Sequence, residues 1–503
     1  MNPYLDNRYC DVRCALQLID LTAQEDATPE AKSNAAISLI NQTADTIKEQ
    51  TIKIATLEPN EWVLDGSMRI FDEQNEVQRG WWSNELSNEH GDIDTEISFI
   101  FSEAHSSFGL TLFFDELNEI WATEYTIIAY DKDGNEIINQ TVEGTKAKQA
   151  IIVQIENYYK ITIKFTKTNV PNRRIRLTEM TFGIIEEFDR SNTKSLKLNR
   201  EFDINSDNLP INEVDLTFDN SNQRYNMVAP DGAYKYMKVG MPLKVEIGIG
   251  DSFKTLEWEE MGEFYYLASE SDDGALTAVI TAGDAIMYLD RVSFTERLTA
   301  PTLRTIAAEI SRLIGQRLVF VLDEEIADIQ LSNMVEEADI TCRDVLRQAC
   351  QALSAVCYTN KKGEIIVKRI TTNEPADYLT KNEMLSVPKI RTGEHINTVI
   401  VENGDVQGLC QKIELNEVVQ TIKKTNIFVT QNIANDVAEW LLDNTKLFKF
   451  EINARGNPLR ELNDTIAITD AFGTVRNAII TRHVIEYDGG ITEDLEAVGN
   501  NEI

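Results

Sequence analysis

Three tryptophans are the residues that most readily suggest contact with a ligand. Trp81 and Trp82 are adjacent in the stretch GWWSNELSNEHG, and Trp121 lies further along the same segment. An exposed indole ring offers a flat apolar face on which a sugar ring can stack, so these residues could form a glycan-stacking surface. The same rings could instead fill a core or hold a loop in place, which is the commoner role of a large aromatic side chain.

Acidic residues form several clusters that have two interpretations. Asp131, Asp133 and Glu136 lie in DKDGNE, between two apolar runs, and this pattern indicates a hairpin turn. A calcium loop of the EF-hand type needs more ligands than this stretch supplies. Neighbouring carboxylates at 259–260 and 272–273 resemble a glycosidase pair, but a chain with 83 acidic residues produces such neighbours by chance. We expect both pairs to be solvated.

Cysteine and histidine show no arrangement that is typical of a metal or catalytic site. Cys10 and Cys14 are four residues apart and would share one face of a helix, but no histidine lies near them. Cys342, Cys350 and Cys357 fit the pattern of small buried apolar groups. The sequence contains no HExxH, GxSxG or GxxxxGK motif and no Cys/His pairing. We therefore expect no metal, no cofactor and no enzymatic activity.

The charge of the chain argues against nucleic acid as a partner. Lys and Arg number 48 against 83 Asp and Glu, which gives a net charge of −35. A phosphate backbone is repelled by such a surface, so no specific nucleic-acid binding is expected. No stretch approaches the roughly 18 apolar residues that span a bilayer. The first residues lack a basic start followed by an apolar run, so we expect the chain to fold in the cytoplasm where it is made.

The elements that position these residues are mainly strands in the first part of the chain. A length of 503 residues exceeds the roughly 250 to 300 residues that share one core, so several domains are expected. Residues 1–49 form an N-terminal segment in which a loose apolar stripe from Thr28 to Ile47 predicts a helix. Residues 50–190 are expected to form one domain, in which apolar residues alternate with a period of two from Glu96 onward and predict a jelly-roll-like β-sandwich. This segment resembles carbohydrate-binding modules.

The rest of the chain reads as two β segments on either side of an α/β domain. Alternation predicts a first β-barrel, or a second sandwich, at 191–298 and a second barrel at 377–490, the latter with one helix near 433–442. Between them, 299–376 predicts a small α/β domain whose helices begin at Thr302 and Thr341. The acidic residues 491–503 predict a solvated tail that orders only against a partner. The fold class is mainly β with a small α/β domain.

Several strings of this sequence resemble the tail-hub (baseplate hub) proteins of phages of Gram-positive bacteria and of phage-tail-like particles. The resemblance extends over most of the chain, from about Tyr4 to Gly490. It is carried by 198–220 (LNREFDINSDNLPINEVDLTFDN), 239–245 (VGMPLKV), 258–266 (WEEMGEFYY), 339–370 and 477–490 (NAIITRHVIEYDGG), and in the sandwich by LDGS, GWWSNELSNEHG and FTKTNVPNRRIRLTEMTFG.

The resemblance implies a homotrimeric ring in the distal tail of a virion or phage-tail-like particle. Two tube-like barrels from each of three protomers would match the sixfold tail tube and keep threefold symmetry for the spike. The implied partners are the tail tube or its initiator protein, the distal spike or tip protein, the baseplate wedge proteins and the tape measure protein. Nothing of domain size follows Gly490, so the sequence departs from the tail-associated lysins of this family.

A second function remains open, which is a glycan-binding adhesin that acts through the 50–190 sandwich. Two tube-like barrels would serve no purpose in an independent adhesin, and this favours the hub. The sequence does not distinguish a contractile from a non-contractile tail, or an infectious phage from a headless bacteriocin. Neither the host species nor the chain that supplies lytic activity can be read from it.

Overall fold

The computed structural model describes residues 8–44, 53–70, 78–229, 232–315, 318–333, 340–371, 374–413 and 418–499. The fold is mainly β with few helices, as predicted. The chain divides into two compact units. The smaller unit comprises Leu16–Glu186 with Lys235–Met237, and the larger unit comprises Met1–Ala15, Glu187–Tyr234 and Lys238–Ile503.

The elements up to residue 188 are mostly antiparallel strands. In chain order they are β1 (Tyr9–Ile19), α1 (Leu21–Asp26), β2 (Thr28–Ala31), a 3-10 helix (Ile40–Ala44), β3 (Lys53–Ala55), β4 (Met68–Ile70), β5 (Trp81–Trp82), β6 (Asp92–Phe114), β7 (Ala122–Tyr130), β8 (Glu136–Glu143), β9 (Lys148–Thr168), β10 (Arg176–Thr181) and β11 (Gly183–Phe188).

The sheet of the smaller unit is built on two long strands. Its order is β5-β10-β6-β9-β7-β8, with β2 paired to β6. The sequence predicted separate strands around Phe99 and Leu112, but both lie in β6. Register shifts between Ile100 and Ser107 interrupt its pairing with β9, and such bulges let a strand bend without ending. The inward residues of β6, β7 and β9 form one apolar core.

The helix predicted from Thr28 to Ile47 is wrong. Thr28–Ala31 is the strand β2, which pairs with β6 so that Thr28 lies opposite Ile100. Only a short 3-10 helix, Ile40–Ala44, follows, and residues 45–47 lie outside the described residues. A loose apolar stripe specifies a helix weakly, whereas the open edge of β6 offers backbone hydrogen bonds to an extended chain.

The remaining elements combine strands with three α-helices. They are β12 (Thr193–Glu201), β13 (Glu213–Asp219), a 3-10 helix (Ala233–Tyr236), β14 (Pro242–Gly250), β15 (Glu257–Glu270), β16 (Thr277–Gly283), a 3-10 helix (Ala285–Tyr288), α2 (Leu303–Ile314), β17 (Phe320–Leu322), α3 (Cys342–Ala352), β18 (Val356–Thr359), β19 (Ile365–Lys368), β20 (Asp377–Leu379), β21 (Lys389–Arg391), β22 (Thr398–Asn403), β23 (Val406–Gln411), β24 (Thr421–Thr425), α4 (Ala434–Thr445), β25 (Phe448–Arg455), β26 (Thr465–Thr469), β27 (Val475–Tyr487) and β28 (Ile491–Gly499).

One sheet of the larger unit contains strands from both predicted β segments. Its path is β1-β14-β15-β16-β13-β12-β27-β28-β25-β21, with β26 paired to β27 and to β20. The link is the antiparallel pair β12 and β27, in which Leu198 lies opposite Ile485 and Arg200 opposite His483. Periodicity predicted the strands of 191–298 and 377–490, but it contained no information on this pairing.

Helices and turns of the predicted α/β domain are confirmed. Thr302 and Thr305 form a capping box at the start of α2, and Gly315 ends the helix with a φ of 68°. The side chain of Thr341 caps α3 by accepting the amide of Asp344. A hairpin at Asn360–Gly363 joins β18 to β19, and α4 lies near the predicted position. None of the described helices is long and apolar enough to span a membrane.

The solvated tail predicted at 491–503 is wrong for most of its length. Ile491–Gly499 is the strand β28, which pairs with β25 on one side and with β27 on the other. Its exposed acidic residues Asp494 and Glu496 alternate with Leu495 and Ala497, which are buried. Composition suggested a tail because the acidic residues dominate it, but a period of two places the apolar residues on one face. Residues 500–503 lie outside the described residues.

Removal of β28 should unfold the larger unit. A chain that ends at Gly490 would leave β25 and β27 without their shared partner and would uncover the apolar residues beneath, so we expect insoluble protein or loss of the thermal transition. Circular dichroism and soluble yield would measure this. The matched control ends at Gly499 and should melt like the full chain. A cooperative transition at an unchanged temperature in the Gly490 variant would contradict the role of β28.

Candidate functional site

The tryptophans predicted to stack on glycans do not form one exposed surface. Trp81 and Trp82 are both fully buried on β5. The Trp81 indole donates to the carbonyl of Ser33 and packs on Phe165 at 5.9 Å between ring centroids, and the Trp82 indole donates to Arg79. A sugar therefore has no access to either ring, and the stacking hypothesis is wrong for this pair. The two rings point to opposite faces of the strand: Trp81 belongs to the apolar core of the sandwich, and Trp82 is covered by the guanidinium of Arg176.

Trp121 retains part of the predicted role because it is only half-buried. It packs against the edge of the sandwich core, and its backbone amide donates to the side chain of Asn169. Glycan contact through Trp121 remains a prediction.

A buried ionic cluster lies next to Trp82. The guanidinium of Arg176 is fully buried and contacts three carboxylates, those of Glu58, Glu61 (3.0 Å) and Asp115 (2.6 Å). It also lies 4.2 Å from the centre of the Trp82 ring, a cation–π distance. Burial by itself lowers the pKa of Arg176, but the carboxylates outweigh this effect and raise it. The arginine therefore stays charged and stabilises the acids around it.

This cluster holds one loop of the sandwich in place through ion pairs in the interior. The loop, 56–67, contributes Glu58 and Glu61 to the interior, where Glu61 also pairs with Arg173 at 2.7 Å and Glu58 accepts the amide of Arg174 at 2.8 Å. Four apolar side chains of the same loop face solvent: Leu57 is 95% exposed, Trp62 47%, Val63 48% and Leu64 90%. The loop is thus held by charges, and its apolar residues are free to bind.

The 56–67 loop contains functional candidates that the sequence did not single out. Trp62 lies in the stretch WVLDGS, in which Asp65 and Gly66 are typical turn residues. Three apolar residues directly before a turn are a signal of an exposed apolar tip. The burial of Glu58 and Glu61, which turns the tip outward, depends on arginines more than 100 residues away in sequence and has no local signature.

The other sequence candidates have structural roles. DKDGNE is the β7–β8 hairpin, in which Asp131 accepts the amides of Asp133 and Asn135. Glu259 accepts a hydrogen bond from Lys361 at 2.8 Å, whereas its neighbour Glu260 is exposed. The pair 272–273 is exposed as well.

Cys10 and Cys14 lie on strand β1, so the helical alignment considered for them does not exist. Both thiols are buried, and burial raises their pKa values. They therefore stay protonated, which disfavours metal binding and nucleophilic attack. In the described part of the chain no three His, Cys, Asp or Glu residues are grouped as metal ligands.

A second group of buried charges supports the larger unit. Arg460 pairs with Glu493 and, at 2.6 Å, with Asp377, while His483 contacts Glu493 at 2.9 Å. Burial lowers the pKa of His483, so the imidazole is neutral at pH 7 and donates to the carboxylate. These residues lie on β20, on β27, on β28 and in the segment between β25 and β26. They link these strands of the sheet.

The largest described cavity lies within the larger unit and shows no catalytic arrangement. It has a volume of about 740 Å³. Its lining mixes basic and acidic side chains, namely Arg13, Lys244, Lys361, Lys362, Glu187, Asp189, Glu246, Glu260 and Glu263. The charges are nearly balanced, so the cavity selects neither anions nor cations strongly.

Comparisons with known proteins give likenesses of fold. Searches of protein-family models and of curated proteins found no match. Among solved structures, a tail protein from Neisseria meningitidis MC58 is similar at 11% identity with a TM-score of 0.48, covering 63% of this chain and 94% of its own. A 43 kDa tail protein of prophage MuSo2 from Shewanella oneidensis is similar at 12% identity with a TM-score of 0.45, covering 62% and 95%.

A third solved structure, the prophage tail protein gp18 from Listeria monocytogenes EGD-e, is similar at 9% identity with a TM-score of 0.41, covering 63% of this chain and 92% of its own. All three are described as tail proteins, and the second and third as proteins of prophages. Because the TM-scores lie below 0.5, the function proposed below rests on this chain's own residues.

Replacement of Arg176 by Met should strongly destabilise the smaller unit. Arg176→Met keeps the side-chain length but leaves three buried carboxylates without their cation, so we expect a loss of about 3–5 kcal/mol in the free energy of unfolding. Denaturant titration would measure it. As a control, Arg304→Met removes an arginine that pairs with Glu324 and Asp328 at the exposed surface, and it should change stability little. Equal effects of the two changes would show that the cluster does not hold the unit.

Proposed function

We propose that this chain is a structural hub in the distal part of a phage tail or phage-tail-like particle. The observation that carries the proposal is the single sheet in which β12 pairs with β27. Through it the β segments on both sides of the α/β domain form one body, which suits a protein that transmits load and symmetry between neighbours. The sequence resemblance to tail hubs of Gram-positive phages supports the same role.

The proposed assembly is a homotrimer. Three copies, each with two β segments, would offer six similar surfaces to a sixfold tail tube and a threefold surface to the distal spike. The further proposed partners are the tube initiator, the baseplate wedge proteins and the tape measure protein. The net charge of −35 per chain fits a role without specific nucleic-acid binding. The role requires no catalysis, and we propose none.

The stoichiometry inside an assembled particle tests the hub. Particles that carry the tagged chain should contain three copies at the end of each tube, seen as threefold density below sixfold density in electron microscopy. Particles assembled without the chain should lack the junction, because no other surface would bridge the two symmetries. A single copy per particle, or a position along the outside of the tube, would contradict the proposal.

A second candidate function is glycan binding by the sandwich. The observation in its favour is the 56–67 loop, which presents Trp62 between aliphatic side chains while buried ion pairs hold its base. A loop that is rigid before binding loses little conformational entropy when it contacts a ligand. In this role the chain would touch the cell wall while the larger unit stays in the tail.

Trp62→Ala should weaken glycan binding if the loop is the binding surface. We expect the full chain to pellet with purified peptidoglycan or wall polysaccharide and the variant to need about fivefold more polysaccharide or more, because about 1 kcal/mol or more of stacking energy is lost. Trp121→Ala in the same assay reports on the other accessible ring. The turbidity of the suspension should stay constant. Equal pelleting of all three proteins would contradict a role for either tryptophan, and clearing of the suspension would contradict the absence of catalysis.

A further inference from the structure

An exposed phenylalanine lies beside an apolar groove in the larger unit. Phe472 is 94% exposed at the tip of the turn between β26 and β27. The groove has a volume of about 250 Å³. Its apolar lining consists of Val387, Pro388, Ile390, Phe448, Phe450, Ile468 and Ala471 together with Phe472 itself. A phenyl ring is small enough to enter a space of this size.

The turn holds Phe472 in its outward position. The carboxylate of Asp470 accepts the amides of Phe472 and Thr474, each at 2.9 Å, and pairs with Arg476 at 3.2 Å. Gly473 has a φ of 85°, a conformation that strains other residues, so the turn is specified by its sequence. The ring is therefore presented to solvent by a defined turn, and little conformational entropy is lost when a partner covers it.

The apolar surface around the groove is large enough to form the centre of an interface. Phe472, Val387, Ile390, Val475 and Leu385 are all 44% exposed or more. Together they offer on the order of 500 Å² of apolar surface, which equals the apolar share of one side of a standard protein interface. A patch of this size on a single chain usually marks a binding site.

The charge distribution indicates what kind of partner fits. The sheet ends beside the groove with β21, whose Lys389 and Arg391 are 61% and 57% exposed in their side chains and share one carboxylate, that of Glu451, at 3.0 and 2.7 Å, so the edge keeps an excess of positive charge. Lys449 lies opposite Arg391 in the register and is exposed too. This basic edge belongs to a chain with a net charge of −35. An acidic protein surface complements it, and another copy of this chain has such a surface.

We propose that the groove is occupied by Phe472 of a second copy of this chain. In the assembled trimer each protomer inserts the phenyl group of its Phe472 into the groove of the next protomer. The inference rests on the proposed trimer. Phe472 and the groove adjoin each other, so a ring of three requires that both lie close to the threefold axis, whereas a twofold contact of the same patch would give dimers. The basic edge of each protomer would then face the acidic surface of its neighbour.

Sedimentation velocity of the full chain at tens of micromolar tests the contact. We expect trimers for the wild-type chain and monomers for Phe472→Ser, with association weakened about 30-fold or more per contact. Thermal melting of Phe472→Ser should be unchanged because the side chain is exposed. The matched control is Leu64→Ser, which removes a 90% exposed apolar residue of the smaller unit and should remain trimeric.

Cross-linking separates this inference from the trimer itself. Five of the six cysteines are buried, so a Cys410→Ser background leaves the added thiols as the reactive ones. Val387 and Phe472 line the same groove of one chain, so the two changes are placed in separate chains. An equimolar mixture of Phe472→Cys chains and Val387→Cys chains, treated with a short bismaleimide, should give covalent dimers, whereas Phe472→Cys chains alone should not. Covalent dimers from a mixture whose largest species in sedimentation is also a dimer would keep the Phe472 contact and contradict the threefold hub.

Three results would overturn the inference. The first is a wild-type trimer that Phe472→Ser leaves intact, which would spare the hub and exclude this contact. The second is a wild-type monomer at about 100 µM, since such a contact should then be populated. The third is association through Phe472 by a variant that ends at Gly499 but not by the full chain. Because β28 ends at Gly499 opposite Phe448, which lines the groove, residues 500–503 of the same chain would then be the occupant.

Discussion

The pairing of β12 with β27 is the contact on which the larger unit depends. It joins strands that are far apart in sequence. In the main sheet it connects β14, β15, β16, β13 and β12 on one side to β27, β28, β25 and β21 on the other. The buried charges lie at the same place, because Arg200 faces His483 across this pair and His483 contacts Glu493 on β28. The hydrogen bonds of the ladder align the strands, and the charges fix which strands can be neighbours.

Both units use buried ion pairs where an apolar core would also pack. In the smaller unit Arg176 gathers three carboxylates, two from the 56–67 loop and one from Asp115, and in the larger unit Arg460 joins two. Removing water from these charges costs free energy, so such clusters contribute little net stability compared with apolar contacts. What they provide is a single arrangement, since a loop or strand in the wrong place would leave a buried charge unpaired. Surfaces held in this way can keep their apolar residues for partners.

The sequence predicted those features that depend on neighbouring residues. The caps at Thr302, Thr341 and Gly315 marked the helix ends correctly because each cap bonds within one turn. Alternation located most strands for the same reason. The burial of Trp81 and Trp82 and the exposure of Trp62 followed from contacts with distant arginines and strands, which no local pattern contains. The strand β28 was missed because its acidic composition outweighed its alternation.

The order of the strands in the sequence determines when each unit can form during synthesis. The smaller unit is almost continuous in the chain, so its strands can pair as soon as about residue 186 has left the ribosome. The larger unit needs Arg8, near the start, to bond the carbonyls of Gly456 and Ile491, near the end. At typical rates of translation, β12 and β13 wait for roughly tens of seconds with an open edge before β27 arrives. A long-lived open edge invites pairing with the wrong strand, so chaperone binding during that interval is a direct consequence of this topology.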